Sequence, residues 1–172
     1  TPYNLIMTYP RFTFILISLL MCGCTPKDET TLMVSSACFW KVQSFFDENK
    51  NVISSTCGYT GGKNQKPTYE NAKKNGHVEA VRVQIKKGDY ESVLKHFFEN
   101  FPAKRTKAKN EMHGKMFRAR IYYFDNKQKK VLEKLRAQYD DEETITVILP
   151  AQEFYQAEDY HQDWYKKRCK IN

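Results

Sequence analysis

His77-Val78-Glu79-Ala80-Val81-Arg82-Val83-Gln84-Ile85 and, beyond Lys86-Lys87-Gly88-Asp89, Tyr90-Glu91-Ser92-Val93-Leu94-Lys95-His96-Phe97-Phe98-Glu99-Asn100-Phe101 decide the fold class. In the first stretch His77, Glu79, Val81, Val83 and Ile85 fall on one face and Val78, Ala80, Arg82 and Gln84 on the other, the period of two of a β-strand. In the second, Tyr90, Val93, Leu94, Phe97, Phe98 and Phe101 recur at i, i+3, i+4, i+7, i+8 and i+11, a complete apolar stripe along a helix.

The same alternation of element types extends in both directions. Leu32, Val34 and Ser36 alternate with Met33 and Ser35 in a short strand that runs into Cys38, and Phe39, Val42, Phe45 and Phe46 then recur at helical spacing to about Asn49. Val52 to Thr60 is a second strand, closed by Gly61-Gly62. Downstream, Phe117, Ala119, Ile121 and Tyr123 share a strand face, and Asp125 is placed to cap a helix carrying Val131, Leu132 and Leu135. Ile145 to Leu149 reads as the last strand, and the tail from Ala157 to Arg168 reads as helical. Strands separated by single helices predict an α+β domain: a two-layer sandwich with helices packed on a mixed sheet.

Composition sets the scale. The chain has 172 residues, enough for one domain to bury roughly two-thirds of its unfolded surface without a metal or a disulfide framework. Its 11 Phe, 11 Tyr and 2 Trp exclude disorder for the bulk of it. Its 28 Lys plus Arg against 20 Asp plus Glu leave a formal charge of +8. Lys104-Arg105-Thr106-Lys107-Ala108-Lys109 is the densest charged run, but no aromatics interleave it, so it reads as a solvated loop and no nucleic-acid partner is expected.

The N-terminus carries a different signal. The uncharged apolar run from Phe12 to Cys22, with Arg11 ahead of it, is roughly half of the about 20 residues a bilayer-spanning helix needs, and it suits the hydrophobic region of a signal peptide. It stops at Met21-Cys22-Gly23-Cys24 and gives way to Thr25-Pro26-Lys27-Asp28-Glu29. This resembles a bacterial lipoprotein signal with Cys24 as the lipidated residue; a plain cleaved signal or an uncut anchor are the alternatives. The expected organisation is a signal peptide over 1–24, with Met7 as the sensible start, a tether over 25–30 and the domain over 31–172. Export to the cell envelope or periplasm, with a lipid anchor, would place the domain in an oxidising compartment, where a free thiol is either protected or used.

Of the five cysteines, Cys22 and Cys24 belong to that signal, and the spacing of Cys38, Cys57 and Cys169 fits neither a zinc site nor a disulfide scaffold. Nor do His77, His96, His113 and His161 share metal-ligand spacing. Cys38 stands at a strand-to-helix junction, where the helix dipole and orphan N–H donors favour a thiolate. The bland alternative is a small buried hydrophobe. Phe39 and Trp40 follow it, and two aromatics cannot both enter the core from the start of a helix, so one or both should line an apolar pocket beside the sulfur. Glu79 shares the packing face of its strand with Val81, Val83 and Ile85. If buried there, its pKa rises toward the 6 to 7 range of a general acid at neutral pH; if it frays into solvent, it does not. Thiolate, aromatic wall and protonated carboxyl suit attack on a neutral electrophile that carries an apolar group and an oxygen to be protonated.

Five motifs in order then carry a resemblance: Ala37-Cys38-Phe39-Trp40, Gly58-Tyr59-Thr60-Gly61-Gly62, Pro67-Thr68-Tyr69, Gly76-His77-Val78-Glu79-Ala80-Val81-Arg82-Val83, and Phe154-Tyr155-Gln156-Ala157-Glu158-Asp159-Tyr160-His161-Gln162. Together they resemble the A-type peptide methionine sulfoxide reductases (MsrA) over roughly residues 32 to 165, as a divergent exported member. The resemblance implies a ferredoxin-like two-layer core with extra helices, and reduction of the S epimer of methionine sulfoxide, free or in proteins. It implies Cys38 as nucleophile and Phe39 and Trp40 around the substrate methyl group. Tyr69 and Glu79 would contact the sulfoxide oxygen, with Glu79 supplying the proton. The product would be a sulfenic acid on Cys38, condensed with a second thiol and reduced by a thioredoxin-type dithiol, with no metal or other cofactor.

Cys169, in the basic tail, is where C-terminal resolving cysteines of the family are found, while Cys57 reads as core with a resolving role as the alternative. The chain is expected to act as a monomer. It departs from the family pattern at Ala37, where a Gly is usual, and at Lys41, where a small residue is usual. By register from Gly114 and Arg118, Met112 replaces an active-site Asp and Phe117 a second sulfoxide-binding Tyr, with Glu111 one position off. His161 reads as a structural hydrogen-bonding residue beside the pocket, with a catalytic base as the alternative, and Tyr155, Tyr160, Trp164 and Tyr165 read mostly as packing, with Trp164 and Tyr165 covering the pocket mouth as the alternative. Two other functions compete: a methionine or methionine-sulfoxide binding module without turnover, and a thiol relay between envelope proteins through Cys38 and Cys169.

Overall fold

The computed structural model describes residues 29–63, 66–101, 119–141 and 146–169, Cys169 by its backbone alone. The expectations about Cys22 and Cys24, Lys104–Lys109, Met112 and Phe117, and the side chain of Cys169 lie outside the described residues.

Six strands form one mixed sheet. β1 (Glu29–Ser35), β2 (Val52–Gly61), β3 (His77–Lys86), β4 (Arg120–Tyr123), β5 (Val147–Pro150) and β6 (Phe154–Gln156) lie in the order β5-β4-β1-β3-β2-β6. All neighbours are antiparallel except β4 and β5, which run parallel. Because β1 and β2 both run antiparallel to the β3 between them, α1 (Phe39–Asp47) is a crossover helix, and α3 (Tyr90–Asn100) repeats that connection from β3 to β4. Two such interleaved units make the ferredoxin-like core, which β5 and β6 extend at its edges. Short α2 (Tyr69–Ala72), the longer α4 (Asn126–Tyr139) and terminal α5 (Trp164–Cys169) complete the described helices.

The layering follows from the strand pattern. The odd-numbered face of β3, Val81, Val83 and Ile85, meets Leu32 and Val34 of β1 and the stripes of α1 and α3 (Phe39, Val42, Phe46, Val93, Leu94, Phe97, Phe98) in one core. On the opposite face, among the described residues, Met33, Ala80 and Tyr122 form a smaller buried cluster, edged by Leu149, Ala151 and Phe154. Each fully buried large apolar side chain contributes about 1.5–3 kcal/mol, so the helix-covered face carries most of the stability. Asp125 caps α4 as its position predicts, its Oδ1 accepting the Gln128 N–H at 2.8 Å.

Two expectations about the C-terminal part need correction. Val147–Pro150 is not the last strand, because β6 pairs Gly58, Tyr59 and Thr60 with Gln156, Tyr155 and Phe154. Three residues are too few for a periodicity. The tail is not one helix either: a 3-10 turn at Asp159–His161 is followed by a break in which Asp163 takes a φ of 53°, and α5 starts only at Trp164. The break is fixed by tertiary hydrogen bonds. Gln162 Oε1 accepts the Cys57 N–H at 2.9 Å and its Nε2 donates to the Cys57 and Ala157 carbonyls, while the Asp163 N–H donates to Gln43 Oε1 at 2.9 Å. These bonds dock the tail across β2 and α1.

Candidate active site

β1 ends at Ser35, and three residues turn the chain into α1. Ala37 makes the turn with a φ of 58°, and Cys38 then sits at the N-cap of α1 with extended backbone, its carbonyl accepting the Lys41 N–H at 3.1 Å. An Ala in the left-handed region costs about 1–2 kcal/mol that a Gly would not. The Cys38 side chain is partly exposed, so it is not entombed.

The first N–H of the helix goes to a carboxylate. Phe39 N–H donates to Glu79 Oε2 at 2.9 Å, and Glu79 is 4% exposed. Burial pushes its pKa up to about 7, only partly offset by the Phe39 N–H, which favours the anion. The packing face of β3 has therefore drawn Glu79 out of water, one of the two outcomes its alternation left open.

The thiol differs from the sequence expectation. Burial raises the Cys38 pKa above its usual value, and the nearby Glu79 charge adds to this. The N–H groups of Trp40 and Lys41 and the Lys41 charge oppose the shift without reversing it. The helix start is present, but desolvation outweighs it. Cys38 and Glu79 thus act on each other, since protonating the carboxyl removes a negative charge that holds the thiol neutral.

Around this pair stands an aromatic wall. Phe39 is buried, against Tyr59 at 5.9 Å and His161 at 5.0 Å between ring centroids. Trp40 is half-buried, as the argument that both rings cannot enter the core requires. It stacks on Trp164 at 4.4 Å with only 6° between planes, and Arg168 lies over the Trp164 ring at 4.0 Å. Trp40 Nε1–H donates to His161 Nδ1 at 3.0 Å. Tyr69, 49% exposed at the start of α2, packs its ring 4.8 Å from His161. Glu158 joins these pieces, accepting the Tyr69 N–H at 2.9 Å on Oε1 and the Tyr59 hydroxyl at 3.0 Å on Oε2.

The fold thus brings Cys38, Phe39, Trp40 and Glu79 together and sets Tyr69 on their border through His161. Cys57 lies beneath them, fully buried, its Sγ 3.3 Å from Gln43 Oε1 and 3.5 Å from the Phe39 carbonyl oxygen. Sequence reasoning assigned no role to Glu158, Gln162 or Gln43. Gln43 is buried within α1 although polar, a fact the sequence of the helix does not disclose. Among the described residues, no group of three or more His, Cys, Asp and Glu side chains could hold a metal ion, and no helix is long and apolar enough to cross a membrane.

The arrangement matches a known set of proteins. A family model described as peptide methionine sulfoxide reductase covers residues 30–172. Among curated relatives, the peptide methionine sulfoxide reductase MsrA of Nocardia farcinica is 34% identical over 145 residues, 80% of this chain and 84% of that protein. The MsrA of Pasteurella multocida is 35% identical over 137 residues, 76% of this chain and 79% of that one. Two solved structures share the fold. One is methionine sulfoxide reductase A of Corynebacterium diphtheriae, with a TM-score of 0.64 and 23% identity, covering 84% of this chain and 77% of that one. The other is reduced Mxr1 of Saccharomyces cerevisiae, with a TM-score of 0.65 and 18% identity, covering 85% and 89%. The continuous match across β1 to the tail, over the residues that build the Cys38–Glu79 site, places this chain in the peptide methionine sulfoxide reductase family.

Proposed function

We propose that the protein reduces methionine S-sulfoxide to methionine, with Cys38 as nucleophile and Glu79 as proton donor. The observation that carries the reading is the buried Glu79 carboxyl bonded to the N–H of Phe39, the residue next to Cys38. With a pKa of about 7 it holds a proton in a large fraction of molecules at neutral pH.

A sulfoxide oxygen leaves poorly unless protonated. Glu79 gives its proton to that oxygen while the Cys38 sulfur attacks the substrate sulfur. The sulfur–oxygen bond of the substrate breaks, and the oxygen ends on Cys38 as a sulfenic acid, the thiol proton returning to Glu79. Thiol plus sulfoxide become sulfenic acid plus thioether, so atoms and electrons balance. Trp40, with Phe39 beneath it, packs the methyl group, and the Tyr69 hydroxyl meets the sulfoxide oxygen. Cys169 condenses with the sulfenic acid, releasing water, and a thioredoxin-type dithiol reduces the disulfide. The apolar run Phe12–Cys22, followed by Gly23 and Cys24, supports export and a lipid anchor in the cell envelope.

A second reading, binding without turnover, draws its support from Met112 and Phe117 in place of two oxygen ligands of the family pattern. A single-turnover reaction with each sulfoxide epimer, followed by thiol counting, separates the two. Loss of about two thiols with the S epimer, and none in Cys38→Ser, is the expected result. Tight sulfoxide binding with no thiol lost would leave the binding module standing instead.

A further inference from the structure

Glu158 and His161 lie outside the reacting groups, yet both are wired to the residues around them. The indole of Trp40 is a donor only, so the His161 Nδ1 that it reaches at 3.0 Å must carry a lone pair. The ring proton of neutral His161 is therefore on Nε2, which has no hydrogen-bond partner among the described residues and lies 3.8 Å from Glu158 Oε2. His161 is 1% exposed, with its ring held among Phe39, Tyr69 and Tyr160 at centroid distances of 5.0, 4.8 and 4.2 Å. It cannot turn to find another acceptor geometry without breaking these contacts. Glu158 in turn spends both oxygens, one on the Tyr69 backbone and one on the Tyr59 hydroxyl. One short segment, Glu158 to His161, therefore touches both Trp40 and Tyr69.

We propose that Glu158 and His161 are positioning residues that set substrate affinity, His161 by fixing the plane of Trp40 through its indole N–H and Glu158 by fixing the backbone of Tyr69. This deepens the reading of Trp40 and Tyr69 as substrate contacts and rests on it. Neither residue exchanges a proton with substrate. Their contribution is to hold the wall in its binding geometry before substrate arrives, which lowers the ordering cost of binding.

The test begins with the resting wild-type protein, so it does not depend on turnover. The chain has two tryptophans, hence two indole N–H resonances, told apart by a Trp164→Phe variant. The Trp40 signal is expected at low field, slow to exchange, with a coupling across the hydrogen bond to a non-protonated His161 Nδ1. A fast-exchanging Trp40 indole, or a His161 protonated on Nδ1, overturns the proposal.

The second arm measures methionine S-sulfoxide affinity on the Cys38→Ser background and the KM and kcat of the otherwise intact enzyme. His161→Phe, which keeps a ring but removes the acceptor, is expected to weaken affinity and raise KM about tenfold with kcat within about threefold, a change of about 1.4 kcal/mol. His161→Asn, whose Oδ1 stands near the Nδ1 position, is expected to restore both the indole signal and KM. Glu158→Ala is expected to raise KM as His161→Phe does, and Glu158→Gln, which keeps an accepting oxygen, to do so less. Equal losses in Asn and Phe, or a fall in kcat with KM unchanged, overturns the positioning role. Wild-type protein that binds no sulfoxide while keeping its indole hydrogen bond sinks the functional reading instead.

Discussion

The carboxylate of Glu79 on β3 accepts the backbone N–H of Phe39 at 2.9 Å, which ties the proton donor to the residue that follows Cys38. Glu79 and Cys38 are 41 positions apart in sequence, yet the bond sets them in register on the first turn of α1. The carboxyl that gives its proton to substrate becomes, once ionised, a charge that disfavours the Cys38 thiolate. Glu79→Gln separates the two effects. The amide oxygen can still accept the Phe39 N–H, so the turn should persist, but no acid remains. Sulfenic acid formation is expected to slow by about 10²–10⁴. Iodoacetamide alkylation of Cys38 is expected to titrate at lower pH than in wild type, because one source of repulsion is gone. In wild type the single-turnover rate is expected to fall as pH rises through about 7, a limb the variant should lack. Equal rates in the two proteins would remove Glu79 from the chemistry.

Ala37 carries a strain that is open to direct measurement. Its φ of 58° costs about 1–2 kcal/mol relative to glycine in the folded state, while glycine adds about 0.4–1 kcal/mol of unfolded-state entropy. The net expectation for Ala37→Gly is a gain of roughly 0.5–1 kcal/mol, read as a higher urea midpoint at unchanged slope. A loss of stability would mean that the alanine methyl makes contacts worth more than the strain.

The sequence made the central strands and helices legible because each buries one face, and a buried face leaves a period. β3 and α3 are the clearest cases, and the same logic put Glu79 on the packing face while leaving open whether the strand start frays into solvent. The order of the strands left no such mark, since β4 and β5 pair in parallel only because the chain returns through α4 to the far edge. β6 is short and is held by β2 rather than by its own pattern, and Gly58 is what admits it: a Cβ there would lie 2.4 Å from the Tyr155 carbonyl oxygen. At the site, the aromatic pair and Cys38 were readable as types, but the hydrogen bonds of Glu158, Gln162 and Gln43 depend on residues 89 to 120 positions away. The thiol's raised pKa was equally hidden, because a helix start is visible in a sequence and desolvation is not.

Cys57 is a second thiol close to the first, and its surroundings make it a poor attacker. It has no exposure, burial pushes its thiol far up, and its S–H is occupied by Gln43 Oε1, itself pinned by the Asp163 N–H. Attack on a sulfenic acid needs thiolate and access, and this site offers neither. Cys57→Ala is therefore expected to lose about two thiols per single turnover, as wild type does, at a stability cost of about 1 kcal/mol. Cys169→Ser is expected to lose about one, with dimedone trapping the sulfenic acid on Cys38. The opposite pattern, one thiol in Cys57→Ala and two in Cys169→Ser, would transfer the resolving role to Cys57.

Burying Glu79 also makes the stability of the whole fold depend on pH, with a sign opposite to that of a salt-bridged carboxylate. Its pKa rises from 4.5 to about 7 on folding, so the folded state holds the proton more tightly than the unfolded chain does. Below about pH 4.5 both states are protonated and the residue brings no penalty. As pH rises through about 7 the unfolded chain is already ionised, and the folded protein must ionise a carboxyl that is 4% exposed. The loss is complete above that point and is on the order of 3 kcal/mol, since each pKa unit is worth about 1.4 kcal/mol. Glu79→Gln has no carboxyl to ionise and escapes this loss. Urea unfolding of both proteins should therefore give wild type a deficit, relative to the variant, that grows between about pH 4.5 and pH 8 and then levels. Parallel stability curves across that range would mean that Glu79 keeps an ordinary carboxylate pKa in the folded protein, and the proton assigned to it at neutral pH would have to come from another group.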